Sequence, residues 1–188
     1  MDINQEIHNA YEVIKEGGII LYPTDTVWGI GCDATNPEAV AKIYKLKKRT
    51  ETQSMIVLMN GEKMIYNVFK DIPDVAWQIM DLSENPTTLI LDNPRNVAPN
   101  LIASDNSLGI RIVKEPFCFK LLEKMKKPLV STSANISGKT TPKSFKEISP
   151  EIIKSVDYVV NLHHEKISCN PSTIIKLTND SQVKVIRK

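Results

Sequence analysis

Cysteine is scarce in this chain: three among 188 residues, Cys32, Cys118 and Cys169, with no C-x-x-C pair. That excludes a disulfide framework and a structural zinc site of ordinary spacing. Glycine is scarce too, seven in all. None falls in a G-x-G-x-x-G or G-x-x-x-x-G-K-[ST] pattern, so a nucleotide would have to be held by other means. Neither sign of charge dominates: 24 Lys and Arg against 22 Asp and Glu leave a net +2, which excludes a global pull toward nucleic acid. No apolar run approaches the ~20 residues of a membrane span. The opening Met1-Asp2-Ile3-Asn4-Gln5-Glu6 has neither the basic nor the apolar region of a signal peptide. A cytoplasmic protein with no membrane partner is the expectation.

What is present, 41% hydrophobic residues, suffices for the core of a single domain over residues 1–188. Residues 2–16 predict an amphipathic helix capped by Asp2 and stopped by Gly17-Gly18. Asn36-Pro37-Glu38 opens a second, with a capping amide, a first-turn proline and an acid at the positive end of the dipole. Residues 61–82 predict helix in two pieces broken around Pro73, and residues 116–125 another. Pro142 to Ser155 predicts one or two short helices. Strands are expected at 19–22, 55–59, 87–91, 107–113, 128–130, 157–162, 173–177 and 183–187. Helices and strands alternate early and strands gather late, so a mixed, twisted sheet covered by helices is expected. Cys118, inside Pro116-Phe117-Cys118-Phe119, reads as a small core residue.

Two segments about a hundred residues apart concentrate the polar side chains: Pro23 to Ala34, and Ser131-Thr132-Ser133-Ala134-Asn135-Ile136-Ser137-Gly138. Each leaves a short apolar run and breaks into hydroxyl, carboxylate and amide groups mixed with glycine, as ligand sites at strand exits do. Lys45, Lys47, Lys48 and Arg49 end the second helix. They read either as a solvated terminus favoured by the dipole or as cations turned into a cleft to hold a triphosphate. Alternation in 107–113 puts Ser107, Gly109 and Arg111 on one face. Arg111, between Ile110 and Ile112, reads either as half of a structural ion pair or as the grip on an anionic ligand. Asp25 reads as a turn cap or as an aid in placing magnesium. Ser131, Ser133 and Ser137 have no histidine or lysine spaced to make one of them a nucleophile. Their hydroxyls suit phosphate or ribose oxygens.

The chain resembles, motif by motif and in order, the threonylcarbamoyl-AMP synthase family (YrdC/TsaC-like, short single-domain form). Pro23-Thr24-Asp25-Thr26-Val27-Trp28-Gly29-Ile30-Gly31-Cys32-Asp33-Ala34 is similar to P-T-D-T-x-Y-G-L-G-C-D-A. Lys47-Lys48-Arg49 matches K-x-R, Pro86-Thr87-Thr88-Leu89 resembles P-G-P-x-T-L, and Gly109-Ile110-Arg111 resembles G-[IV]-R. Ser131 to Gly138 reproduces S-T-S-A-N-x-S-G, Pro171-Ser172-Thr173-Ile174 matches P-S-T-I, and Val185-Ile186-Arg187 the closing V-[IL]-R. Departures are Trp28 for tyrosine, Asn85 for glycine, Ser54-Met55 for Pro-Leu, and Leu58 where many relatives have histidine.

The resemblance implies a YrdC/RibB-like fold, a three-layer α/β (α+β) sandwich around a mixed twisted sheet with a positively lined cavity. It implies an ATP-binding nucleotidyltransferase that joins L-threonine, bicarbonate and ATP, with Mg2+, into threonylcarbamoyl-AMP and pyrophosphate. A separate transferase complex then modifies adenosine 37 of tRNAs reading codons that begin with A, with weak tRNA contact by the synthase as a further implication. Thr26, Arg111 and Thr173 would bind threonine. Lys47 and Arg49 would act catalytically on the phosphates, and Gln53, Ser107, Ser131, Ser133, Asn135, Thr141 and Arg187 would join them in holding ATP. No protein metal ligand is implied. Such chemistry needs positioning and charge neutralisation more than acid/base groups. The competing readings are an RNA-binding module of the same fold without turnover, and a carbamoyl-adenylate domain of hydrogenase maturation. The second is normally embedded in a much larger chain.

Overall fold

Side-chain caps open the three longest helices among the described residues. In the computed structural model, which describes residues 2–50, 55–167, 171–178 and 182–187, the Asp2 carboxylate accepts from the Asn4 amide at 2.9 Å and opens α1 (Ile3–Lys15). The Asn36 side chain accepts from the Ala39 amide at 3.0 Å and opens α2 (Pro37–Lys47). Pro73 separates α3 (Glu62–Val68) from α4 (Asp74–Leu82). Glu115 caps α5 (Pro116–Met125) by accepting from the Cys118 amide at 2.8 Å. A short 3-10 turn at Phe145–Glu147 precedes α6 (Pro150–Ser155). Each cap satisfies an amide that helix geometry leaves without a partner.

Among the described residues, nine strands form one mixed sheet: β1 (Ile20–Tyr22), β2 (Gly29–Gly31), β3 (Ile56–Met59), β4 (Thr87–Asp92), β5 (Ser107–Ile112), β6 (Leu129–Ser133), β7 (Tyr158–Val159), β8 (Thr173–Leu177) and β9 (Val183–Arg187). Their order is β7-β1-β2-β6-β3-β5-β4-β8-β9. The pairs β1/β7, β3/β5 and β4/β8 are parallel and the rest antiparallel. The expected α/β class with a mixed sheet is the one this chain adopts. The core is built on both sides of these strands, with Ile20, Leu21, Ile30, Val57, Leu58, Phe117 and Leu121 fully buried. Cys118 lies among them.

Two elements differ from the sequence reading. The first polar segment contains a strand: β2 returns antiparallel to β1 with Tyr22 opposite Gly29. The reversal is held by Thr24, whose hydroxyl donates to the Val27 carbonyl at 2.7 Å and accepts from the Thr26 amide at 3.0 Å. Gly-Ile-Gly reads poorly as a strand because glycine is depleted in strands. Here glycine is required by proximity: a Cβ on Gly31 would sit 2.3 Å from the Val130 carbonyl oxygen and 2.8 Å from the Tyr22 ring. The strand expected at 157–162 shrinks to Tyr158–Val159. The Asp157 and Val160 amides donate to the Ile19 and Leu21 carbonyls, each at 2.9 Å, and side chains add to the fastening. Asp157 accepts from the Ile19 amide, and the buried Glu6 carboxylate accepts from the Tyr158 hydroxyl and the Asn161 amide, each at 2.8 Å.

Candidate functional site

The two polar segments, distant in sequence, are hydrogen-bonded neighbours: Gly29 on β2 lies opposite Ser133 on β6, and Ile30 opposite Thr132. Ser131 in turn lies opposite Ile56 on β3. Further along the sheet, Arg111 on β5 lies opposite Leu58 on β3. Carrying the β4–β5 register one step past Leu89–Ile110 sets Thr88 beside Arg111. Thr88 lies opposite Ile174 on β8, and Ile174 opposite Arg187 on β9. Residues directly opposite one another share a face of the sheet. Arg111, Thr88, Ile174 and Arg187 therefore stand in a row, and a cavity of about 210 Å³ lies over it.

Local structure delivers the remaining lining. Lys48 takes a left-handed conformation (φ 51) at the end of α2, and the Arg49 amide donates back to the Tyr44 carbonyl at 3.0 Å. The turn sends Arg49 into the cavity, where its Nη1 donates to the Thr132 hydroxyl at 3.3 Å. Lys48 itself is exposed and pairs with Glu151 at 3.0 Å. Thr26 enters from the β1–β2 turn, Ser131 and Ser133 from alternate positions of β6, and Thr141 from the segment beyond.

The charge balance favours anions. Among the described residues, the lining carries Arg49, Arg111 and Arg187 and no carboxylate. Arg111 is 4% exposed; its Nη2 meets Asp25 Oδ1 at 2.9 Å. That arginine therefore closes the ion pair of the first reading and also lines the cavity. Its Nε is buried with no hydrogen-bond partner among the described residues, a donor open to an acceptor. Arg187 donates through Nε and Nη2 to the Ser172 carbonyl at 3.0 and 2.8 Å, which fixes its fork. Burial lowers the guanidinium pKa of Arg49, and of Arg187, where the charge of Arg111 adds to the effect. Bringing an anion in relieves such crowding.

Of the residues singled out from sequence, Thr26, Arg49, Arg111, Ser131, Ser133, Thr141 and Arg187 meet at this cavity. Lys47 does not line it; the side chain is buried behind it, with Nζ on the Ser133 and Asn135 carbonyls. Ser107 begins β5 at the end away from Arg111 and donates to Asp105 at 2.6 Å. Asn135 spends its amide on the carbonyls of Ile136 and Lys139. Thr173 lies between two lining residues, Ser172 and Ile174. Gln53 lies outside the described residues. The sequence reading missed Thr24, Thr88 and Ser172; the last two share a hydrogen bond, 2.8 Å between hydroxyls. Strand alternation was the available signal: if Ile174 faces the cavity, Ser172 does and Thr173 does not.

The family model Sua5_yciO_yrdC, described as "Telomere recombination", matches residues 12–188. A putative threonylcarbamoyl-AMP synthase of Methanocaldococcus jannaschii is 36% identical over 173 residues, which are 92% of this chain and 80% of the relative. Among solved structures, Escherichia coli YciO is similar with a TM-score of 0.85 at 25% identity, over 100% of this chain and 90% of that one. A variant of Sua5 from Pyrococcus abyssi gives 0.83 at 27% identity over 92% of this chain. This chain spans 50% of that longer protein.

Proposed function

The chain belongs to the Sua5/YciO/YrdC family, and from that premise we propose that it is a threonylcarbamoyl-AMP synthase. It joins L-threonine, bicarbonate and ATP into threonylcarbamoyl-AMP and pyrophosphate. The product serves a separate transferase that builds N6-threonylcarbamoyladenosine at position 37 of tRNAs reading codons that begin with A. One observation carries the reading: three arginines and a set of hydroxyls converge on one cavity whose described lining contains no carboxylate, histidine or cysteine. That composition suits a reaction in which the reactants supply the nucleophile and the protein supplies charge and position.

The threonine amine and bicarbonate form a carbamate with loss of water. A carbamate oxygen attacks the α-phosphorus of ATP, and the bond to pyrophosphate breaks. Arg111, through the Nε that has no partner among the described residues, takes the threonine carboxylate, with Thr26 beside it. Arg49 and Arg187 neutralise the phosphates as negative charge shifts onto the leaving group. The hydroxyls of Ser131, Ser133 and Thr141 donate to the acyl-phosphate and phosphate oxygens, and Ser172 stands where the resemblance sets Thr173. Magnesium enters as the complex with ATP, because the described lining offers it no carboxylate. The cavity, about 210 Å³, is smaller than the ~300–1,000 Å³ of common ligand pockets, so an adenylate fills it and projects from its mouth.

Pyrophosphate release with ATP, magnesium, bicarbonate and L-threonine tests the proposal. Release must require threonine, and Arg49→Ala must reduce it by ~10²-fold or more, the scale of losing one electrostatic stabiliser. Release independent of threonine, or tight salt-sensitive tRNA binding with no turnover, would sink it.

A further inference from the structure

Lys47 is the least exposed cation of the molecule's described residues, at 1%. Its Nζ donates to the Ser133 carbonyl and, at 2.7 Å, to the Asn135 carbonyl. Its own main-chain carbonyl accepts from the Ser137 amide at 3.0 Å. Three bonds thus run from one residue at the end of α2 to one turn after β6. That turn is also closed from within: the Asn135 amide donates to the Ser133 carbonyl, the Lys139 amide to the Ile136 carbonyl, and the Asn135 side chain to the carbonyls of Ile136 and Lys139. Cavity-lining residues sit at both ends of the joint. Ser133 is the last residue of β6, and Arg49 lies two residues past Lys47.

We propose that Lys47 is a positioning residue, which clamps the turn after β6 onto the end of α2 and so fixes Ser133 relative to Arg49, without touching the nucleotide's phosphates. The nucleotide part of this proposal rests on the synthase reading above. A lysine that neutralised phosphate would need its ammonium in the cavity, and Lys47 reaches the cavity only by giving up both carbonyls. The choice of lysine follows from the geometry. The linkage needs a long apolar stem through packed surroundings and several donors at a compact tip, which lysine has and the planar guanidinium fork does not. Burial, with the charge of Arg49 adding, lowers the Lys47 ammonium to about 7. The neutral amine keeps two N–H donors, enough for both carbonyls, so the clamp holds in either protonation state.

Lys47→Met keeps the stem and deletes the donors. Affinities for ATP, AMP and L-threonine, measured by calorimetry, are expected to split. ATP and AMP weaken by the same factor, roughly tenfold or more, kcat falls, and L-threonine stays within twofold because Arg111 is held by other strands. A loss at least tenfold larger for ATP than for AMP would make Lys47 a phosphate ligand and overturn the proposal, as would unchanged affinity for both nucleotides. Lys47→Arg retains the charge and is expected to fail as Lys47→Met does; recovery of ATP affinity would also overturn it. Should these variants fail to fold, the wild-type protein decides. Amine acylation read by mass spectrometry is expected to leave Lys47 unmodified with or without ATP while exposed lysines react. Labelling of Lys47 that ATP abolishes would refute the clamp. The experiment without nucleotide stands even if the wild-type protein binds no ATP, a result that would sink the synthase reading alone.

Discussion

Replacing Arg111 by methionine separates its two tasks. Its guanidinium meets Asp25 at 2.9 Å with side-chain exposures of 4% and 18%. Two unit charges about 4 Å apart at an effective dielectric of ~20 interact by roughly 4 kcal/mol, and breaking a fully buried pair costs ~3–5 kcal/mol. Asp25 is open enough to regain water, so the net loss of stability is placed lower, at about 2 kcal/mol. For a chain of this size that lowers the melting midpoint by roughly 4–8 °C. The catalytic loss is separate. One charge-assisted hydrogen bond to the threonine carboxylate is worth ~1.5–3 kcal/mol, which raises the KM for threonine roughly 10- to 150-fold. The KM for ATP should stay within about threefold, because Arg49 and Arg187 meet the phosphates. The assay is pyrophosphate release with each substrate varied in turn, beside a thermal melt. A threonine KM within twofold of wild type, in a variant whose melting point has fallen, would refute the assignment of Arg111 to the carboxylate.

Arg187→Ala is expected to show the opposite pattern, with KM for ATP up about tenfold and KM for threonine unchanged; equal losses for both substrates would remove Arg187 from the phosphate end. Gly31→Ala must push a methyl group into the Val130 carbonyl, 2.3 Å away, and should cost about 3 kcal/mol or more in urea unfolding. A loss under about 1 kcal/mol would contradict the close approach of β2 and β6. Lys47 titrates at about 7 in the native state against its ordinary 10.5. Between those values the unfolded chain keeps a proton that the native state has released, so stability rises with pH from about 7 to 10.5 and falls as pH drops through 7. Subtracting the Lys47→Met profile from that of wild type isolates this slope; a flat difference would mean that the buried amine does not titrate there.

Helix starts were legible because caps are local: Asp2 and Asn36 each satisfy an amide two or three residues on. Strands built from apolar runs were legible for the same reason. β2 was not, because its glycines answer to Tyr22 and Val130 across the sheet, a requirement set by tertiary proximity. The site was legible where a motif ends at a strand face, as with Ser131, Ser133 and Arg111. It was not legible where sidedness decides. Thr173 and Ser172 are adjacent in a motif, and only the pairing of Ile174 with Thr88 shows which of the two faces the cavity. Lys47 and Arg49 look equivalent as letters, yet the left-handed residue between them sends one behind the cavity and the other into it. Ser107 and Arg111 share a face by alternation, but four residues of extended chain put the serine beside Asp105 instead.

One pocket must hold an amino acid against an adenylate. Incubation with 13C-bicarbonate, L-threonine and MgATP, followed by mass spectrometry of the nucleotide fraction, tests that claim most directly. The expected result is an adenylate heavier than AMP by a threonylcarbamoyl group that carries the labelled carbon and vanishes when threonine is omitted. An unlabelled adenylate, or AMP and pyrophosphate formed equally well without threonine, would contradict it.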